Sequence, residues 1–172
     1  MTNNYFQGTK INPYHISIGA VVRNEKGEIC CHYFKKFEHK SVGSFENLYL
    51  LMRETIEPNE TIEQCLARGL MEEFGITANM VSYLGSIQSK FPIVNSEIVV
   101  EKTTLYFLCD FISINESQRK PDDLEASSEI VWVEPNKLIE IMTEQGIKTN
   151  REDADESVII KRLIDTSKGD LI

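Results

Sequence analysis

Glu72 and Glu73 are the residues of this chain whose types and spacing most plainly suit chemistry. They are adjacent carboxylates near the end of a helical pattern. The helix dipole at a C-terminus favours cations, so an acidic pair is electrostatically unfavourable there. A pair kept in that position points to a bound cation, whereas the plainer reading of these two residues alone is a solvated helix end. Charges nearby extend the pattern. Glu60 stands eight residues before Arg68, and Arg68 stands four before Glu72, one helical turn away.

The elements that must position these groups follow from periodicity. Residues 61–74 predict a helix, with Leu66, Leu70 and Phe74 in one apolar stripe. Thr61 and Gln64 make a capping-box pattern at its start, and Gly75 supplies a stop. Residues 48–52 predict a short strand leading into the loop before this helix. Residues 15–23 predict a strand with Ile16, Ile18, Ala20 and Val22 on one face, returning through a turn at 24–27 into a strand over 28–34. A polar loop is expected over 35–46. Further strands are expected over 80–89, 99–112 and 129–133, with an acidic loop over 113–128. Helices are expected over 135–144 and 153–164. Strands around one strong helix predict an α+β domain of α/β/α layers.

With the spacing in view, residues 54–76 resemble the signature of the Nudix hydrolases. That signature has nine fixed positions: Gly, Glu, Arg, Glu, an aliphatic residue, Glu, Glu, Gly and a second aliphatic residue. Glu60, Arg68, Leu70, Glu72, Glu73, Gly75 and Ile76 match at the right intervals. The resemblance extends over roughly residues 14–142, taking in the Val131-Trp132-Val133-Glu134 segment. It implies a Nudix-type α/β/α sandwich with a mixed central sheet, residues 14–172 forming one domain after a flexible segment over 1–13. It also implies a metal-dependent hydrolase of a nucleoside diphosphate linked to another moiety. Glu72 and Glu73 would be catalytic metal ligands for Mg2+ or Mn2+, and Glu60 and Arg68 a salt bridge supporting the loop.

Two positions depart from the signature. Gly69 stands where the family has a metal-binding glutamate, and Glu54 stands where it has the opening glycine. A lost general base alone costs about 10²–10⁴-fold in rate. The sequence therefore supports a second reading, a catalytically impaired nucleotide-binding or regulatory module. It also raises a compensation hypothesis, in which Glu54 supplies the carboxylate that Gly69 lacks. Arg53 is a candidate for substrate phosphate. Glu125 is the first candidate for a further metal ligand, ahead of Asp122, Asp123 and Glu129. Phe6, Tyr14, Phe91 and Tyr106 are aromatic candidates for base recognition, each more simply read as packing.

Composition narrows the field. A net charge of −9 over 172 residues excludes a general nucleic-acid binder and leaves room for a small phosphorylated nucleotide-type ligand. No apolar run reaches the roughly 20 residues of a membrane span. The four cysteines form no C-x-x-C pair, and Cys30 and Cys31 should point to opposite faces of a strand, as reduced packing residues. A cytoplasmic location is the expectation, and a homodimer is left open.

Overall fold

Alternation along the first strand organises two cores. In the computed structural model, described for residues 4–39, 43–93, 95–120 and 124–167, strand β1 runs Tyr14–Arg23. Ile18, Ala20 and Val22 enter one apolar cluster and Val21 enters another. Successive strand side chains face opposite ways, so each face needs its own cover. Cys30 and Cys31 divide between the same two clusters, as adjacent strand residues must.

The sheet is mixed. Strands β2 (Ile29–His39), β3 (Gly43–Leu50), β4 (Met52–Thr55), β5 (Ile76–Pro92), β6 (Val99–Ile114) and β7 (Glu129–Val133) complete it. The order is β3-β2-β1-β6-β5, with β4 also on β1 and β7 also on β2. Among the described residues only β1 and β6 pair in parallel. One face is covered by helix α1 (Ile62–Gly69), through Leu66, with Leu70 and Phe74 following. The other is covered by α2 (Pro135–Thr149) and α3 (Ser157–Ser167), through Leu138, Met142, Ile159, Ile160 and Leu163. This is the expected α+β sandwich of three layers. No helix of the described residues is long and apolar enough to cross a membrane.

Three expectations need correction. The polar loop expected over 35–46 is largely the β2–β3 hairpin. Phe34 and Phe37 lie three apart, which hides a period of two, yet both pack with Leu48 in a third apolar cluster. The ladder there passes Asn47, whose φ is 55°. The helix expected over 61–74 is α-helical only to Gly69, and Leu70–Phe74 continues as a π turn. The last helix begins at Ser157, after a short turn at Glu152–Ala154. Among the described N-terminal residues, Asn4 Nδ2 donates to the Ile56 carbonyl at 2.9 Å, and Ile16 N donates to Phe6 O at 2.9 Å.

Candidate functional site

The central helix is fastened at its start as its sequence prescribes. Thr61 accepts from the Gln64 backbone, and the Gln64 side chain accepts from the Thr61 backbone. At its other end Gly75 takes a left-handed φ of 67°. The π turn between Leu70 and Phe74 widens the last turn, a feature that recurs at functional sites. It separates the two carboxylates: Glu73 is turned inward and buried, while the Glu72 side chain keeps 19% of its exposure.

Arg68 is the hub that ties loop to helix. Its guanidinium grips Glu60 with two bonds of 2.9 Å and donates to the Thr55 carbonyl at 2.8 Å. It also meets Glu54 at 3.2 Å and Glu72 at 3.4 Å. These bonds hold Glu60 below the ordinary carboxylate range. Replacing Arg68 with Ala strands three partly buried carboxylates at once. Charged hydrogen bonds contribute about 1.5–3 kcal/mol each where they are not replaced by water. We expect a loss of about 2–3 kcal/mol, seen as a fall of roughly 5–10 °C in the circular-dichroism melting midpoint.

The two departures from the signature meet in space. Strand β4 pairs with β1 so that Glu54 lies opposite Ile18 and Arg53 opposite Gly19. Period-two alternation therefore sends Met52 and Glu54 toward α1 and Arg53 to the opposite face. Gly69 is buried against that edge. A Cβ added to Gly69 would lie 2.6 Å from Glu54 Cβ, 3.1 Å from its Cγ and 2.9 Å from Met52 Sδ. The side chain of Glu54 occupies the space a residue at 69 would need. Its carboxylate also accepts from Thr55 N at 2.7 Å, and burial raises its pKa against the opposing pull of Arg68.

Glu73 is the most perturbed acid here. Burial pushes its pKa well up, the charges of Glu125 and Glu54 push it further, and the charge and then the backbone N–H of Arg53 oppose them. Its Oε2 lies 2.8 Å from His32 Nε2, and His32 Nδ1 lies 2.7 Å from Ser128 Oγ. Desolvation and the Arg119 and Arg53 charges lower the His32 pKa to about 3, so the ring is neutral. His32 also packs on Phe74 at 4.4 Å between ring centroids. His32 and Arg119 were not singled out from the sequence. Arg119 brackets the site, donating to the carbonyls of Glu73 at 2.6 Å, Glu125 at 2.5 Å and Ser128 at 3.1 Å. His32 lies on a strand 41 positions from its partner, and no local signal marks it.

Glu125 faces the same cavity as Glu73, one of about 320 Å3 that Arg53, Lys102, Arg151, His15 and Phe91 also line. Glu129 lies on β7, while Asp122 and Asp123 fall outside the described residues. Of the other aromatic candidates, Tyr106 is core, its hydroxyl donating to buried Glu156 at 2.5 Å. Phe6 packs against the α1 cluster, and Tyr14 is exposed. Arg53 is no surface residue; it reaches the Asp153 carbonyl at 3.2 Å and Glu156 at 3.8 Å.

Glu54, Glu72, Glu73 and Glu125 offer only oxygen, the donor type suited to Mg2+ or Mn2+. By donor chemistry alone the set fits a divalent cation. Among the described residues no three acids stand close enough to ligate one ion as they are. Glu54 and Glu72 are drawn aside by Arg68 and, for Glu72, by Lys120 at 2.5 Å.

Comparison with known proteins agrees with this geometry. A family model described as the NUDIX domain matches residues 13–154. The chain is 32% identical over 80 residues to an NAD-capped RNA hydrolase, NudC, of Vibrio cholerae, covering 46% of this chain and 26% of that protein. It is 43% identical over 47 residues to the NudC of Mycobacterium tuberculosis, covering 27% of this chain and 15% of the other. The chain thus spans about a quarter or less of the length of these curated relatives. The E. coli ORF135 protein superposes with a TM-score of 0.59 at 17% identity, covering 91% of this chain and 93% of that one. A MutT protein from Methanosarcina mazei Go1 gives 0.53 at 22%, covering 91% and 96%.

Proposed function

We propose, from the premise that this chain belongs to the Nudix family, that it hydrolyses a nucleoside diphosphate linked to another moiety, using Mg2+ or Mn2+. The observation that carries this reading is the exchange at Glu54 and Gly69: the side chain of Glu54, from β4, fills the space beside buried Gly69. Glu54, Glu72 and Glu73 would hold the metal, with Glu125 facing them across the cavity. The bound cation would supply charge neutralisation at the diphosphate and acidify the attacking water.

The chain's own residues do the rest. Glu54, its pKa raised by burial, accepts a proton from water as the water adds to a phosphorus of the diphosphate. The phosphoric anhydride bond then breaks, and a nucleotide and a second phosphorylated product leave. Arg68 limits the swing of Glu54 and holds the loop through Glu60. Neutral His32 fixes the orientation of Glu73. Arg53 faces the cavity and helps receive phosphate. The setting is the cytoplasm, in keeping with four buried free cysteines.

The test is a panel of nucleoside triphosphates, nucleotide sugars, ADP-ribose, dinucleotides and a short NAD-capped RNA, with Mg2+ or Mn2+. The last enters because the relatives named above act on such RNA. Turnover that disappears with chelator is the expected result. Binding without turnover across the panel would replace this reading with that of a nucleotide-binding module.

A further inference from the structure

Lys102 is a cation at the join of two cavities. It lies on β6, paired with His15 of β1 and Ser89 of β5, and is partly buried. It lines the 320 Å3 cavity that holds Glu73 and also an adjoining cleft of about 780 Å3. The two spaces share Lys102, Arg151 and Asp153 as a common wall. The other cations there are already engaged. Arg151 forms bonds of 3.0 and 2.7 Å with Asp153, and Arg53 reaches the Asp153 carbonyl and Glu156. The Lys102 side chain forms no close ion pair among the described residues, and the carboxylates of Asp153, Glu73 and Glu156 act on it only through their charge at longer range. Burial, and then the charge of Arg53, pulls its pKa down to about 8 against the opposing charges of Asp153, Glu73 and Glu156.

A desolvated charge with no close partner is unfavourable, and an anion placed against it reduces that penalty. Where the anion belongs follows from the layout. The acids at one end of the smaller cavity would take the metal-bound part of a diphosphate. The ammonium sits at the opening into the larger cleft. We infer that Lys102 is the specificity residue of this site: it binds the phosphate remote from Glu73, and the cleft beyond it receives the second moiety of the ligand. The ligand class is then a diphosphate bridging two groups, the outer one large and polar. Gln88, Ser89, Thr103 and Asn150 line the cleft in keeping with that polarity. This deepens the hydrolase reading and rests on its site.

The experiment is calorimetric titration of the intact chain in chelator, so that nothing is hydrolysed. The probes are inorganic pyrophosphate, ADP-ribose and uncharged adenosine. Wild-type protein should bind pyrophosphate and ADP-ribose. Lys102→Met should weaken both by about 10- to 100-fold, the range of one charged hydrogen bond, with Lys102→Arg keeping most of the affinity. Any binding of adenosine should be unchanged, and the melting midpoint of Lys102→Met should not fall. Equal affinity in Lys102→Met and wild type overturns the inference. So does a wild type that binds neither phosphate probe, or a Lys102→Met variant that loses adenosine in proportion. If these bindings hold while no compound is ever hydrolysed, the hydrolase reading fails and the role of Lys102 stands.

Discussion

Moving the carboxylate back should restore what breaking the pair destroys. Gly69→Glu alone places a Cβ 2.6 Å from Glu54 Cβ and 2.9 Å from Met52 Sδ. Overpacking of this kind costs about 1–3 kcal/mol, and a second acid beside Glu54 adds repulsion. Glu54→Gly alone removes the acid and leaves a void beside Gly69, with an expected rate loss of about 10²–10⁴-fold. The double variant Glu54→Gly/Gly69→Glu relieves the clash and returns one carboxylate to the site from the helix side. Its melting midpoint should exceed that of Gly69→Glu, and its kcat/KM should exceed both single variants by at least about tenfold. Such non-additivity is the mark of two residues competing for one place. Additive losses would mean that Glu54 and Gly69 changed independently of each other.

The second large effect is expected at Glu73. Glu73→Gln keeps the shape and the contact to His32 but removes the charge. Turnover should fall by about 10²–10⁴-fold or more, and Mn2+ affinity should fall with it. In chelator the same variant should be the more stable protein at neutral pH. The reason is linkage. The folded chain holds the Glu73 proton well above the ordinary carboxylate range, because the buried charge is opposed by desolvation and by Glu125 and Glu54. The unfolded chain releases it near pH 4–5, about the ordinary range of a free glutamate. Wild-type stability from this group is therefore full below that pH and drains away as pH rises toward the folded pKa. The difference in melting midpoint between Glu73→Gln and wild type should be small at about pH 4 and grow toward neutrality. A variant equally or less stable at all pH values would show that Glu73 is relieved by a partner.

Both effects arise where local reading of the chain stopped short. The intervals from Glu60 to Ile76, the Thr61–Gln64 box and the Gly75 stop are local features, each a consequence of helix geometry, and each formed as read. Opposite placement of Cys30 and Cys31 followed from strand alternation alone. The contact between Glu54 and Gly69 spans 15 positions and depends on β4 lying along β1 beneath the helix. Sequence spacing raised compensation as a hypothesis; only the register turns Glu54, and not Arg53, toward the glycine. His32, Arg119 and Lys102 carry no local pattern at all. They come from β2, the segment after β6, and β6 itself; only the sheet order brings His32 and Lys102 to one cavity and Arg119 onto the backbone of Glu73 and Glu125. The π turn was equally hidden, because its apolar spacing continues that of the α-helix, yet it carries buried Glu73 beside a Glu72 that stays partly exposed.

The central claim is that the carboxylate missing at 69 is supplied by Glu54. A crystal soaked in Mn2+ and measured for anomalous scattering tests it most directly. The account predicts a peak with a Glu54 oxygen and at least one of Glu72 or Glu73 at a ligand distance of roughly 2.0–2.3 Å, with Glu54 drawn off Arg68. A peak that leaves Glu54 on Arg68, or no peak beside Glu73 at saturating Mn2+, would contradict it.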